Sequence, residues 1–192
     1  MTYIMNVKVF KNKFNKYIEL EQNLAKFTWF GVGGNAEILF IPENENSLKN
    51  FLKNKPPEYK ILVVGAGSNL LIRDNGINGI TLITKNLKQI SIDSAGIISA
   101  QAGATDAEVA RFARDYERAG LEFLLGIPGT IGGGVRMNSG AFGSEFKDIL
   151  IDVTAINYSG QSKVFSIKEL KMGYRKIGLS SEWIFCTARF KS

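Results

Sequence analysis

The sequence predicts an α+β fold, and three observations carry the prediction. Strand-like and helix-like segments are mixed along 192 residues, without the strict alternation of a doubly wound parallel sheet. Hydrophobic residues make up 45% of the chain and aromatics 11%, enough to bury a core at this length. Seven of the 20 glycines (126, 129, 132, 133, 134, 140 and 143) fall within 18 residues. They are interleaved with Ile127, Pro128, Ile131, Val135, Met137 and Phe142, so the run reads as packed backbone; a linker would favour serine and charge.

The elements follow in order. Residues 1–24 are polar and weakly patterned and read as a helical or loose lead-in. Residues 36–41, "AEILFI", read as a strand, and "ENSLKNFLKN" follows with Leu48, Phe51 and Leu52 on one helical face before Pro56 and Pro57 stop it. "KILVVGAG" (60–67) is a short apolar strand running into glycines, and "GITLIT" (79–84) is another. "IISAQ" (97–101) reads as a strand, after which Thr105 and Glu108 form a capping box. The helix that follows, 106–119, is expected to bury Val109, Ala113 and Tyr116 and to stop at Gly120 as its C′ glycine. Beyond the glycine-rich run, "DILIDVTAINY", "SKVFSI" and "EWIFCTARF" are three more strands, with a short helix between the last two.

Composition narrows the chemistry. The chain has no histidine, which removes the commonest general base and metal ligand and excludes every Ser/His/Asp or Cys/His arrangement; no metal site is expected. The single cysteine, Cys186, lies in an alternating strand segment and reads as a buried, inert thiol. A net charge of +6 favours an anionic partner, a nucleotide cofactor or a phosphorylated substrate among them. The absence of a long apolar run or signal-peptide block leads to the expectation of a cytoplasmic protein without membrane association.

Two loops suit an anionic dinucleotide. In "VVGAGSNLLIRD", Gly65, Ala66 and Gly67 start like a dinucleotide fingerprint, but Leu70 stands where the third glycine would be, no helix is expected to follow, and no acidic residue lies between 83 and 90 to hold a ribose. What remains is a turn offering backbone N–H groups, with Ser68 and Asn69 as short donors, chemistry that suits a pyrophosphate. The glycine-rich run has no acidic residue until Glu145 and adds Thr130, Asn138 and Ser139 as neutral donors and acceptors. "TWFGVGGNAE" (28–37) repeats the glycine theme, and "KMGYRKIGL" (171–179) supplies Tyr174 and Arg175 in a basic setting.

Together, "FTWFGVGGNAE", "GAGSNLLIRD", "GIPGTIGGGVRMNSGAFGSE" and "GYRKIGLSSEWIF", in this order and spacing, closely resemble the UDP-N-acetylenolpyruvoylglucosamine reductase (MurB) family of bacterial cell-wall synthesis, over about residues 24–190. The resemblance implies a two-subdomain flavin-binding fold like that of vanillyl-alcohol-oxidase-type flavoproteins: a lead-in over 1–23 and FAD-binding subdomains over 24–88 and 89–192. It implies FAD contacts at Gly65, Ala66, Gly67, Ser68, Asn69 and Leu70 in one loop. In the other it implies contacts at Ile127, Pro128, Gly129, Thr130, Gly133, Asn138, Gly140, Ala141 and Gly143.

It further implies that NADPH reduces the flavin, which passes hydride to the enolpyruvyl double bond of a UDP-sugar substrate. Arg175 matches the family's active-site arginine, which stabilises the enolate-like charge, with Tyr174 and Asn69 beside the substrate. The chain departs from the family pattern at Ile177, where a serine is usual, and at Gly134, often alanine. Members of the family also continue into a third domain with a catalytic serine and glutamate, expected here to be supplied in cis or in trans, so the chain alone is expected to hold flavin without completing the reduction. The alternatives are a flavin subunit of another oxidase or dehydrogenase, or a non-catalytic nucleotide-binding module. Nucleic acid is not an expected partner, because the aromatics sit among apolar neighbours and no RNP-like or KH-like string appears.

Overall fold

The computed structural model describes residue 14 and residues 17–192. Most of the expected lead-in lies outside the described residues, but its end does not. Ile18–Asn23 is a strand, β1, which pairs antiparallel with β2 (Asn35–Phe40), Ile18 facing Phe40. Only Ile18 of β1 is fully buried and its Glu residues face outward, so a half-polar strand with one partner left a weak pattern.

After β2, Asn44 caps α1 (Glu45–Asn54), its side chain accepting the Ser47 N–H at 3.0 Å. This helix buries Leu48, Phe51 and Leu52 as expected, and the Phe51 ring stacks on Phe40 with centroids 3.6 Å apart. β3 (Ile61–Val64) and β4 (Ile77–Ile83) complete a four-stranded sheet of order β1-β2-β4-β3, in which β4 runs parallel to both β2 and β3. No helix follows β3; its exit is the Gly65–Gly67 turn.

The second sheet begins with β5 (Ile90–Ile92), a short strand that the sequence pattern did not reveal, and β6 (Ile98–Gln101). Then α2 (Asp106–Asp115) starts from the expected capping box, with the Glu108 carboxylate accepting the Thr105 N–H at 2.8 Å. It ends four residues before the expected stop. Tyr116 is 52% exposed, not buried, and Glu117, at φ +55, takes the left-handed position. The N–H groups of Glu117 and Arg118 bond back to the carbonyls of Arg114 and Ala113, both at 2.9 Å, a Schellman closure that leaves Gly120 beyond the helix. The apolar face simply runs out at Ala113.

The glycine-rich run contains a helix, α3 (Ile131–Met137), where the sequence suggested only packed loop. Three consecutive glycines are poor helix formers, each about 1 kcal/mol worse than alanine. Packing overrides that preference: Ile131 and Val135 are buried, and Gly134 lies so close to the Phe146 ring that a methyl group has no room. A two-residue hairpin, β7 (Gly140–Ala141) and β8 (Ser144–Glu145), leads into α4 (Phe146–Ile149) and β9 (Leu150–Ile156). β10 (Ser162–Ser166), the expected short helix α5 (Ile167–Leu170) and β11 (Ile184–Phe190) close an antiparallel sheet of order β10-β9-β11-β6-β5.

One core joins the second sheet to α2 and α3. Another joins Phe14, the first sheet and α1 to Ile156, Ile184 and Cys186 of the second sheet, so the two sheets share an apolar seam. Cys186 is completely buried there and burial pushes its thiol pKa up, in keeping with an inert packing role. A Thr187 hydroxyl donating to Glu45 at 2.8 Å ties the seam together. Among the described residues no helix is long and apolar enough to cross a membrane.

Candidate functional site

Beside the seam opens a cleft of about 230 Å³ whose one wall is β3 with Gly65 and whose other is α3 with the start of β11. Ile61, Leu62, Val63, Trp183, Ile184 and Phe185 make it largely apolar. Gly133 lines it, and a side chain added there would meet only the Thr130 hydroxyl, at 3.9 Å, so a larger residue would project into the cleft. Thr130, only 6% exposed, turns its hydroxyl against Gly65, where an added methyl group would collide with it, and that buried hydroxyl has no hydrogen-bond partner. An unpaired buried hydroxyl costs roughly 1–3 kcal/mol, a standing cost borne at the edge of the cleft.

Arg136 is the cation of this cleft. Its guanidinium donates to the carbonyls of Leu179, Ser180 and Trp183 and lies over the Phe185 ring at 4.4 Å. Burial lowers its pKa, opposed by the neighbouring Tyr158. Its work is to tie the loop that follows Gly178 to the helix carrying Gly132 and Gly133.

The remaining expected residues gather elsewhere. Asn138, Gly140, Ala141, Gly143, Tyr174 and Arg175 line a second, more polar depression of about 440 Å³, together with Glu145, Lys147 and Asp148. Asn138 is its hub. It ends α3 at φ +41, is 2% exposed, donates to Glu145 at 2.9 Å and to the Gly173 carbonyl at 3.0 Å, and accepts the Lys147 N–H at 3.0 Å. With those bonds made, its side chain acts on the backbone around it. Glu145 is held below the usual carboxylate range chiefly by its bond to Lys147, then by Asn138. Tyr174 and Arg175 sit at the tip of a turn closed by reciprocal bonds between Gly173 and Lys176; Tyr174 is 83% exposed and Arg175 is at φ +51.

Of the first loop, Gly65 lines the cleft, Gly67 packs against the Phe27 carbonyl, Asn69 is exposed, and Leu70 packs onto the core under β2 and β4. Ile127 packs on the core of the second sheet, and Pro128 is exposed. Two contributors were not among the expected site residues: Arg136, and Asp106, whose place in the first turn of α2 masked a buried carboxyl group.

The arrangement, a flat glycine floor, an apolar wall, an unpaired hydroxyl and one cation, fits a flavin dinucleotide: the apolar wall suits a fused ring and the donors suit a diphosphate. Residues 36–166 match the family model described as FAD binding domain. The chain belongs to this family. This FAD-binding domain is 45% identical over 166 residues to a UDP-N-acetylenolpyruvoylglucosamine reductase of Orientia tsutsugamushi, covering 84% of the chain and 55% of the relative. It is 46% identical over 169 residues to the reductase of Paramagnetospirillum magneticum, covering 88% and 55%. Among solved structures, UDP-N-acetylenolpyruvylglucosamine reductase (MurB) from Thermus caldophilus superposes with a TM-score of 0.78 at 31% identity, over 91% of this chain and 62% of that one. A glucooligosaccharide oxidase from Acremonium strictum shares the fold, at TM-score 0.63 and 18% identity, over 81% of this chain and 35% of that one. The FAD-binding domain thus spans a little over half the length of the curated relatives it matches.

Proposed function

We propose that this domain holds FAD in the cleft between β3 and α3 and is the flavin-binding part of a UDP-N-acetylenolpyruvoylglucosamine reductase. The observation that carries the reading is the buried, unpartnered Thr130 hydroxyl packed against Gly65 at the edge of a cleft that Gly65 and Gly133 line. The sequence identity of 45–46% to named reductases supports the substrate class. In this reading residues 24–88 and 89–192 are the two halves that enclose the flavin, and the nucleotide substrate makes the cytoplasm the compartment of the enzyme.

FAD, when bound, would supply the two-electron redox chemistry that links NADPH to the enolpyruvyl double bond of a UDP-sugar. The residues of the chain bind and orient. Thr130 and the N–H groups of the Gly65–Asn69 turn hold the diphosphate, Val63, Trp183 and Phe185 exclude water from the ring, and Arg136 fixes the loop that leads to it. Arg175, at an exposed turn tip, reaches the substrate as it arrives and stabilises the negative charge that develops beside the substrate carboxylate, with Tyr174 and Asn69 as flanking contacts. Asn138 sets the position of that turn through the Gly173 carbonyl.

The visible spectrum of the purified chain, before and after addition of FAD and removal of the excess, tests the first half of the proposal. A retained flavin band is expected, and a folded but colourless protein would overturn it. For the second half, NADPH oxidation by the full-length enzyme should depend on the UDP-sugar enolpyruvate. Oxygen-dependent turnover indifferent to that compound would place the chain with other flavin oxidases.

A further inference from the structure

One buried titratable group has no part in the reading above. Asp106, the first residue of α2, is completely buried, and neither carboxyl oxygen has a hydrogen-bond partner. It lies directly against the second glycine loop: a methyl group on Gly129 would stand 2.8 Å from Oδ2. The Asp106 N–H donates to the Gly129 carbonyl at 3.2 Å, and Thr105 bridges to Thr130 in antiparallel fashion, so carboxyl and loop are held together by backbone as well as by contact. The loop therefore carries two buried groups without partners, the Thr130 hydroxyl and the Asp106 carboxyl.

The charges around this carboxyl are turned away from it. On α2, Glu108 is exposed and committed to the Thr105 N–H and hydroxyl, with exposed Lys88 and Arg111 near it. On the segment packed beside α2, Glu122 is exposed and accepts the Gly120 N–H. The glycine loop itself offers Ile127, Gly129 and Thr130, none of them charged. The first turn of α2 favours the ionised form, but burial outweighs it and pushes the Asp106 carboxyl up to about 7.

We propose that Asp106 is a positioning residue of the flavin site, whose protonated carboxyl underlies the Gly129–Thr130 backbone and lets that backbone accept an anionic diphosphate, so that cofactor binding takes up a proton. This rests on the flavin reading given above. An ionised carboxylate in the same place sets a second negative charge, unscreened by water, against the loop that holds the ligand. Reciprocity then requires that bound FAD favour the protonated carboxyl to the same extent that protonation favours bound FAD.

The test is a set of FAD binding titrations, read by flavin fluorescence from about pH 6 to 9, on the 192-residue chain and on Asp106→Asn. For the native residue the dissociation constant is expected to be flat below pH 7 and to rise above it, approaching about tenfold per pH unit. Asparagine, a neutral isostere, should hold the low-pH affinity throughout. Calorimetry in two buffers of different ionisation enthalpy should find close to one proton taken up at pH 8 by the native chain and none by the variant.

A second readout needs no cofactor. A carboxyl whose folded pKa is raised binds more protons folded than unfolded between about pH 4 and 7, so its contribution to stability is full at low pH and lost as pH rises through 7. The melting temperature of the flavin-free chain should fall over that window relative to Asp106→Asn. Should the variant fail to fold, the native titration and proton count still decide the matter. FAD held equally at all pH values, without proton uptake, overturns the role of Asp106 and leaves the flavin site standing. No flavin retained by either chain at any pH overturns both.

Discussion

The two depressions in this protein are held open by opposite means. The cleft between β3 and α3 is bounded by strands and a helix whose far sides are core, and its lining is largely apolar, with the unpaired Thr130 hydroxyl buried beside it. The depression around Arg175 is bounded by turns, and its polar groups are spent on one another through Asn138, Glu145 and Lys147. A rigid, largely apolar wall with an unpaired hydroxyl behind it suits a ligand that stays; polar groups spent on one another beneath an exposed arginine suit a ligand that comes and goes. On the proposed reading the contrast separates a cofactor site from a substrate site within one chain.

Four substitutions test that division. Arg175→Ala, made in the full-length enzyme, should keep its flavin and lose on the order of 10² to 10³ in rate, as for other lost anion-stabilising donors. Equal rates for mutant and parent would break the assignment. Gly133→Leu should do the reverse, weakening FAD binding about 100-fold by filling the cleft. Its melting temperature should hold or rise, because an interior helical glycine is replaced. A leucine variant that still turns yellow would move the cofactor elsewhere.

Asn138→Ala removes three hydrogen bonds and puts alanine at φ +41, and is expected to cost about 2 kcal/mol in denaturant unfolding. It should impair substrate use more than flavin retention, since the Gly173 turn loses its anchor. The smallest effect is expected for Arg136→Met, about 1 kcal/mol, because a methionine can still cover Phe185 while leaving three carbonyls to water. If the Arg136→Met chain lost flavin outright, the arginine would be a ligand contact rather than a tie between loop and helix.

These contrasts were only partly legible in the sequence. α1, α2, β2, β4 and β6 announced themselves because each carries a clean apolar periodicity and, for the helix α2, a capping box. β1 did not, since "IELEQN" buries one residue and pairs on one side. α3 was hidden because helix propensity and tertiary packing disagree over Gly132–Gly134, and packing decides. Glu117 closes α2 in the left-handed conformation, which no residue preference would choose over Gly120 three positions later. Asn138 was singled out by its polarity, yet polarity alone does not say whether a side chain faces a ligand or its own backbone. Asp106 was invisible for a related reason: an acidic residue in a first helical turn ordinarily faces water.

The three glycines of α3 have a consequence for the order in which the molecule assembles. A seven-residue helix with this composition has no stability of its own, so it forms only once β6, β11 and Phe146 are in place to receive it. In the flavin-free chain its amide protons should therefore exchange with deuterium well before those of β9 and β11, and flavin should slow that exchange more than any other. Among the described elements this wall of the cleft is expected to set late, and residues 131–137 are where proteolysis of the flavin-free chain should begin.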